Sequence, residues 1–111
     1  MNNTEHLRAG IKLAETLELM LHGKLSFIEG SRTVIRLVET AGFDSLSEPF
    51  VTFNLIDSET DAVPIGKVRD LWDEDAVVRH ALDWERSEAY AKLYGEPACH
   101  EALLLLGCAR T

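Results

Sequence analysis

The chain has 111 residues, of which 46% are hydrophobic and 27% are charged, so it can bury the core of one domain and lacks the composition of a disordered protein. Its formal net charge of −8 disfavours nucleic-acid phosphates and anionic membranes as partners, because both require basic patches. The charge is uneven, since residues 1–56 carry seven acids and five bases whereas residues 57–111 carry twelve acids and six bases. We expect a single domain, 1–111, that favours a basic protein partner. The competing interpretation is that the acidity serves solubility alone.

Two features predict a reducing, cytoplasmic location. Cys99 and Cys108 are nine residues apart, which on one helix separates them by roughly 13 Å, farther than a disulfide spans. They are therefore expected to be reduced thiols. The segment Met1–His6 has no basic stretch followed by an apolar run, and the longest apolar run, Ala102–Leu106, is too short to cross a bilayer.

Two helices are predicted in the first 42 residues. The first runs from about residue 4 to residue 22 and ends at Gly23, because apolar side chains recur there at spacings of three and four. The second begins at residue 27 or 31 and continues to about residue 41, and Ser26 and Glu29 form a candidate capping box at its start. The apolar stripe of the first helix consists of Leu7, Ile11, Ala14, Leu17 and Leu21, and Leu13 and Met20 widen it.

The segment from about residue 50 to residue 56 is predicted to be a strand. Val51, Phe53 and Leu55 alternate with other residues in a run rich in β-branched and aromatic side chains. One strand cannot satisfy its own backbone, so it needs a return strand at about 63–71 or a strand from another copy of the chain. A short helical turn at residues 67–69 is the alternative to that return strand.

The C-terminal third is predicted to form two further helices. Asp73 is a candidate N-cap for a helix that extends to about residue 94, where Gly95 ends it. Pro97 then opens a last helix over residues 98–107. The predicted fold class is therefore α+β and mostly helical, with about four helices and one short strand or hairpin.

The sequence contains no recognisable reaction centre. The pattern Asp57-x-Glu59-x-Asp61 is similar to the start of a calcium loop, but Ala62 and Val68 occupy the positions that require glycine and glutamate. No zinc-ligand spacing, nucleophile elbow, phosphate loop or dinucleotide fingerprint is present. We therefore expect no catalytic residue, no metal and no cofactor.

The best candidate for a function is a surface that combines acids with tryptophan. Trp72 and Trp84 are surrounded by carboxylates, and tryptophan often dominates interface energy while acids steer a basic partner. The competing interpretation is that Trp72 staples the start of a helix and Trp84 fills the core. The predicted partner-binding residues are Asp70, Trp72, Asp73, Glu74, Asp75, Asp83, Glu85 and Glu88.

A resemblance to known proteins rests on one fifth of the chain. The residues that carry it are Ile56-Asp57-Ser58-Glu59-Thr60-Asp61, Pro64, Gly66, Arg69 and Trp72. With these the chain resembles a group of short, mostly uncharacterised proteobacterial proteins, which implies no site residue. In size and acidity it is also similar to bacterial immunity proteins that neutralise basic toxin domains.

Three functions follow as hypotheses. The first is an acidic module of immunity or inhibitor type that binds a basic protein. The second is a structural protein that forms a homodimer or larger assembly through the unpaired strand or the apolar last helix. The third is a small-molecule domain with a ligand loop in which Arg69 would orient a carboxylate. The residues of that candidate loop are Asp57, Glu59, Asp61 and Arg69.

Overall fold

A computed structural model describes residues 3–60 and 74–110 of the chain. Within these ranges the secondary structure is entirely helical: α1 is Asn3–Leu21, α2 is Phe27–Leu37, α3 is Phe50–Thr60 and α4 is Glu74–Arg110. Helices α2 and α4 contact each other and both remaining helices, so they form the centre of the packing. The mostly helical class is confirmed.

Helix α1 buries a different stripe from the one that the apolar spacing predicts. Leu13, Leu17 and Met20 lie at helical spacing and are at most 1% exposed. Leu7 and Ile11, which were expected inside, are 63% and 48% exposed. A helix buries only about one third to one half of its circumference, and α1 carries more apolar residues than one such face can hold.

The turn between α1 and α2 follows the sequence signals closely. Gly23 adopts a positive φ of 73°, which is the left-handed conformation that ends helices, and the Lys24 N–H donates to the Leu19 carbonyl over 2.9 Å. Ser26 then caps α2, because its Oγ accepts the Glu29 N–H over 3.0 Å. Of the two predicted starts of α2, residues 27 and 31, the structure has the first, and the helix ends at Leu37, before the predicted end at about residue 41.

The predicted strand at 50–56 is wrong, because these residues form the first two turns of α3. Phe50, Phe53, Ile56 and Thr60 are all at most 1% exposed, and their spacings of three, three and four match a helix. In a run of seven residues, the apolar side chains can match both the alternation of a strand and the spacing of a helix. The packing of these side chains in the core then decides which of the two forms. The return strand expected at 63–71 lies outside the described residues.

The C-terminal end of α3 is held by an arginine on α2. The Arg32 guanidinium lies 3.3 Å from the Asp57 carboxylate, and one of its NH2 groups donates to the Thr60 carbonyl over 2.6 Å. A cation at this position donates a hydrogen bond to a terminal carbonyl and is attracted by the negative end of the helix dipole, so it stabilises the C-terminus of α3. Residues 57–60, expected to begin a loop, are therefore helical.

Helix α4 is continuous where two helices were predicted, and Gly95 and Pro97 both lie inside it. Gly95 is buried, and a Cβ built on it would lie 2.7 Å from Phe27 Cδ1 and 3.3 Å from Ile56 Cδ1. The glycine is thus required by close packing and does not mark a helix end. Pro97 has no N–H to donate to the Leu93 carbonyl. Because Pro97 is exposed, water can hydrogen-bond to that carbonyl instead. In residues 3–60 and 74–110, none of the helices has both the length and the apolarity needed to cross a bilayer.

Candidate functional site

The predicted acidic surface is only partly within the described chain. Asp70, Trp72 and Asp73 lie outside the described residues, as do Asp61 and Arg69 of the candidate ligand loop. Of the remaining partner-binding candidates, Glu74, Asp75, Asp83, Glu85 and Glu88 all lie on α4.

Glu88 is engaged inside the protein. Its Oε2 accepts the Phe27 N–H over 2.7 Å and its Oε1 accepts the Ile28 N–H over 3.1 Å. Both donors belong to the first turn of α2, whose N–H groups have no partner within that helix. The Glu88 carboxylate therefore caps α2 from a distance of 60 residues in sequence and adds a negative charge where the helix dipole favours one.

The two described members of the candidate ligand loop do not form a binding pair. Asp57 is half-buried in its ion pair with Arg32, whereas Glu59 is exposed on the last turn of α3. Trp84 is half-buried and packs against the hydrophobic core.

The outward side of α4 carries the most extended set of exposed apolar side chains in the described chain. Leu93 is 68% exposed, Tyr94 is 53% exposed and Leu104 is 71% exposed. Tyr90 is 39% exposed and its ring centroid lies 5.0 Å from that of Tyr94, an attractive tilted arrangement. We call this surface, made of Ala89, Tyr90, Leu93, Tyr94, Pro97, His100 and Leu104, the α4 outer face.

The α4 outer face lies opposite the buried side of the same helix. Ala91, Gly95, Ala98 and Ala102 face the core, and the residues two positions farther along the helix, such as Leu93, Pro97 and Leu104, point away from it. A depression of about 590 Å³ follows the outward side and is lined by Ala89, Lys92, Leu93, Glu96, Pro97 and His100. Because Pro97 has no N–H, the Leu93 carbonyl adds a hydrogen-bond acceptor to this face.

Charges of both signs surround the α4 outer face. Glu85, Glu96 and Glu101 are exposed on α4, and so are Arg86 and Lys92. Exposed acids and bases are thus interspersed over this part of α4. A partner would be recognised here chiefly through apolar contact, with the charges as a polar rim.

Cys99 is not available as a nucleophile. It is fully buried, and this burial, together with the nearby Glu96 carboxylate, raises the pKa of the thiol to about 12. Only the thiolate reacts, so the folded protein protects this cysteine. Within the part of the chain that the structure describes, no three His, Cys, Asp or Glu side chains are grouped to hold a metal ion.

A thiol-labelling experiment tests the Cys99 environment. In a Cys108→Ser variant, we expect a thiol reagent at pH 8 to modify Cys99 only as fast as the protein unfolds. The pKa of the Cys99 thiol is raised from 9.0 to about 12 in the folded protein, so between these pH values the thiol ionises only in the unfolded chain. The free energy of unfolding should therefore fall as the pH rises from about 9 towards 12. Rapid labelling of the folded variant would contradict this.

No protein-family model, curated protein or solved structure matches the chain.

Proposed function

We propose that the protein is a small protein-binding module that docks a partner on the α4 outer face. The observation that carries this proposal is the set of exposed apolar side chains on one long helix, including Leu93, Tyr94 and Leu104. Contiguous apolar surface is costly to expose to water, and tyrosine is enriched among the residues that dominate interfaces.

The proposed partner is a basic protein that presents an apolar patch. The chain carries a net charge of −8, which attracts basic proteins at long range and raises their association rate. At the rim of the α4 outer face, Glu85, Glu96 and Glu101 would pair with bases that surround the partner's apolar patch. An inhibitor of the immunity type is one protein class that would use such a surface.

The small-molecule alternative has weaker support. Asp57, one of its four proposed residues, is already paired with Arg32. Two of the others, Asp61 and Arg69, lie outside the described residues. No contact in the described chain favours a ligand there over a partner protein on α4.

A retention experiment with matched variants tests the proposal. The chain is immobilised and exposed to a protein extract of its source organism, and the retained proteins are identified by mass spectrometry. Leu93→Ser combined with Leu104→Ser should weaken retention of a basic protein at least tenfold, since each lost anchor costs on the order of 1 kcal/mol or more.

The control removes equally exposed leucines elsewhere. Leu46 is 76% exposed and Leu55 is 57% exposed, and neither lies on α4. Leu46→Ser combined with Leu55→Ser should retain the same partner as the unmodified chain. Equal retention by both double variants would refute the assignment of the α4 outer face.

A further inference from the structure

Helix α4 carries two series of residues that run along its opposite sides with the same spacing. The inward series recurs at alternating intervals of four and three, contacts the other helices, and consists of Trp84, Glu88, Ala91, Gly95, Ala98 and Ala102. The outward series recurs at alternating intervals of three and four, is exposed throughout, and consists of Tyr90, Leu93, Pro97, His100 and Leu104. A mean repeat of about 3.5 residues is the heptad spacing with which one helix packs lengthwise along another. We call the outward series the α4 seam.

The α4 seam has the dimensions of a single docked helix. From Tyr90 to Leu104 it extends about 21 Å at the helical rise per residue. It is one residue wide, and the heptad positions beyond its two ends hold Arg86 and Gly107, neither of which continues the apolar series. Helices α1, α2 and α3 all contact α4, yet the seam remains exposed in the described chain. One partner helix fits such a stripe, whereas a sheet would require a broader apolar surface.

Two carboxylates border the α4 seam, one on each side. With the seam residues at positions a and d of the heptad, Glu96 falls at g and Glu101 falls at e, and both are exposed. Charges at e and g pair with a neighbouring helix and determine which helix is accepted. The other e and g positions from residue 87 to residue 103 are uncharged, and they hold Ser87, Ala89, Tyr94 and Leu103. These flanking positions therefore offer two acids and no base.

The protein's own lysines make the two flanking acids unequal. Lys92 lies at a c position, farther from the seam than Glu96, and Lys24 lies in the turn between α1 and α2. Both lysines and Glu96 line one depression on the side of α4 that faces this turn, so the lysines partly offset the Glu96 charge. Glu101 has no base three or four residues before or after it on α4. We therefore expect Glu101 to attract a basic partner more strongly than Glu96 does.

We propose that the partner presents an amphipathic helix, with apolar residues at heptad spacing and a lysine or arginine beside them, and that this helix lies along the α4 seam. Its basic side chain meets Glu101. The Leu93 carbonyl, which receives no N–H from Pro97, is a further acceptor for the basic side chains. This inference rests on the proposed function, because it specifies the kind of partner that docks on the α4 outer face.

A second copy of α4 matches the seam less well than a basic helix does. In a parallel helix pair, a g residue faces the e residue five positions later on the other helix. Glu96 of each copy would then face Glu101 of the other copy, and the two Arg86 side chains would also meet. Like charges would thus oppose each other along the whole pair.

A peptide display library tests the shape and the charge of the partner together. The full chain is immobilised, and peptides of about three heptads compete for it. Half of the library has apolar residues at a and d, the other half has the same residues in strand alternation, and both halves have lysine or glutamate, in equal shares, at the neighbouring positions. We expect enrichment of the heptad half, with lysine beside the apolar residues. Enrichment of the alternating half, a preference for glutamate, or no enrichment at all would overturn the proposal.

Charge reversal separates pairing at the seam from the overall charge of the chain. Glu101→Lys should weaken the binding of an enriched peptide roughly fivefold or more, because it replaces an attraction with a repulsion. Glu96→Lys should weaken binding less than Glu101→Lys does. Glu15→Lys makes the same change in net charge at an exposed position of α1 and should weaken binding by at most about twofold. Fluorescence anisotropy measures the dissociation constants, and circular dichroism confirms that each variant is folded. Equal effects of Glu101→Lys and Glu15→Lys would contradict pairing at the seam.

The outcomes distinguish this inference from the proposed function. If Leu93→Ser with Leu104→Ser abolishes retention from the extract while no heptad peptide is selected, α4 binds a partner of another shape and only the inference fails. If that double variant leaves retention intact, the proposed function itself fails. Sedimentation equilibrium covers the second copy: a mass of twice 12.4 kDa that Leu93→Ser returns to 12.4 kDa would assign the α4 seam to self-association and overturn the proposal.

Discussion

Replacing Gly95 with valine is expected to lower the free energy of unfolding by about 2–3 kcal/mol. The Cβ alone would lie 2.7 Å from Phe27 Cδ1 and 3.3 Å from Ile56 Cδ1, and valine adds two methyl groups in the same space. Phe27 and Ile56 are both almost completely buried, so they can give way only by disturbing the core. Overpacking of this kind typically costs 1–3 kcal/mol, and valine recovers little in helix propensity. Urea denaturation measures the change.

Gly107 supplies the control within the same helix. It is exposed, and a Cβ there would meet nothing within 4 Å. Gly107→Ala should therefore stabilise the protein by up to about 1 kcal/mol through helix propensity alone. If Gly95→Val were as well tolerated as Gly107→Ala, the close crossing of α4 over α2 and α3 would be wrong.

Replacing Glu88 with alanine is expected to destabilise the protein by about 2 kcal/mol. The change removes the acceptor of the Phe27 and Ile28 N–H groups and the negative charge at the start of α2. Hydrogen bonds to a charged group contribute about 1.5–3 kcal/mol, and the part-buried donors would be left without this partner. Glu85→Ala, on an exposed residue of the same helix, should change stability by less than about 0.5 kcal/mol.

The same variant separates two roles of Glu88. As a structural cap, Glu88→Ala lowers stability but leaves partner retention intact at temperatures where the variant is folded. The acids that surround Glu88 in the sequence suggested instead that it contacts a partner. In that case Glu88→Ala would leave stability unchanged and abolish partner retention. The hydrogen bonds to α2 favour the first result.

Local signals in the sequence were sufficient to predict the first two helices but not the third. Gly23 and Ser26 act through their own backbone and immediate neighbours, so their effect can be read from a short window. The segment containing Phe50 and Phe53 is different, because its side chains satisfy both a strand and a helix pattern. Its conformation is decided by the core that receives Phe50, Phe53 and Ile56, and by Arg32 from a distant helix.

The α4 outer face was missed for a related reason. Gly95 and Pro97 indicate a break when they are read locally, and two short helices do not place Leu93 and Leu104 on a common face. In the continuous helix these residues are 11 positions apart, which is close to three complete turns. If one continuous helix had been assumed, the spacing of the apolar residues over 89–104 would have indicated the α4 outer face. The close approach of Gly95 to Phe27, which explains the glycine, depends on tertiary packing and has no signal in sequence.

Site-specific crosslinking in living cells tests the central claim most directly. A photoreactive benzophenone amino acid replaces Leu93 on the α4 outer face, and in a separate variant it replaces Leu46, which is similarly exposed between α2 and α3. We predict that irradiation yields a defined adduct with a basic protein from position 93 and none with that protein from position 46. Adducts of the same protein from both positions, or from position 46 alone, would contradict the proposal that α4 carries the binding surface.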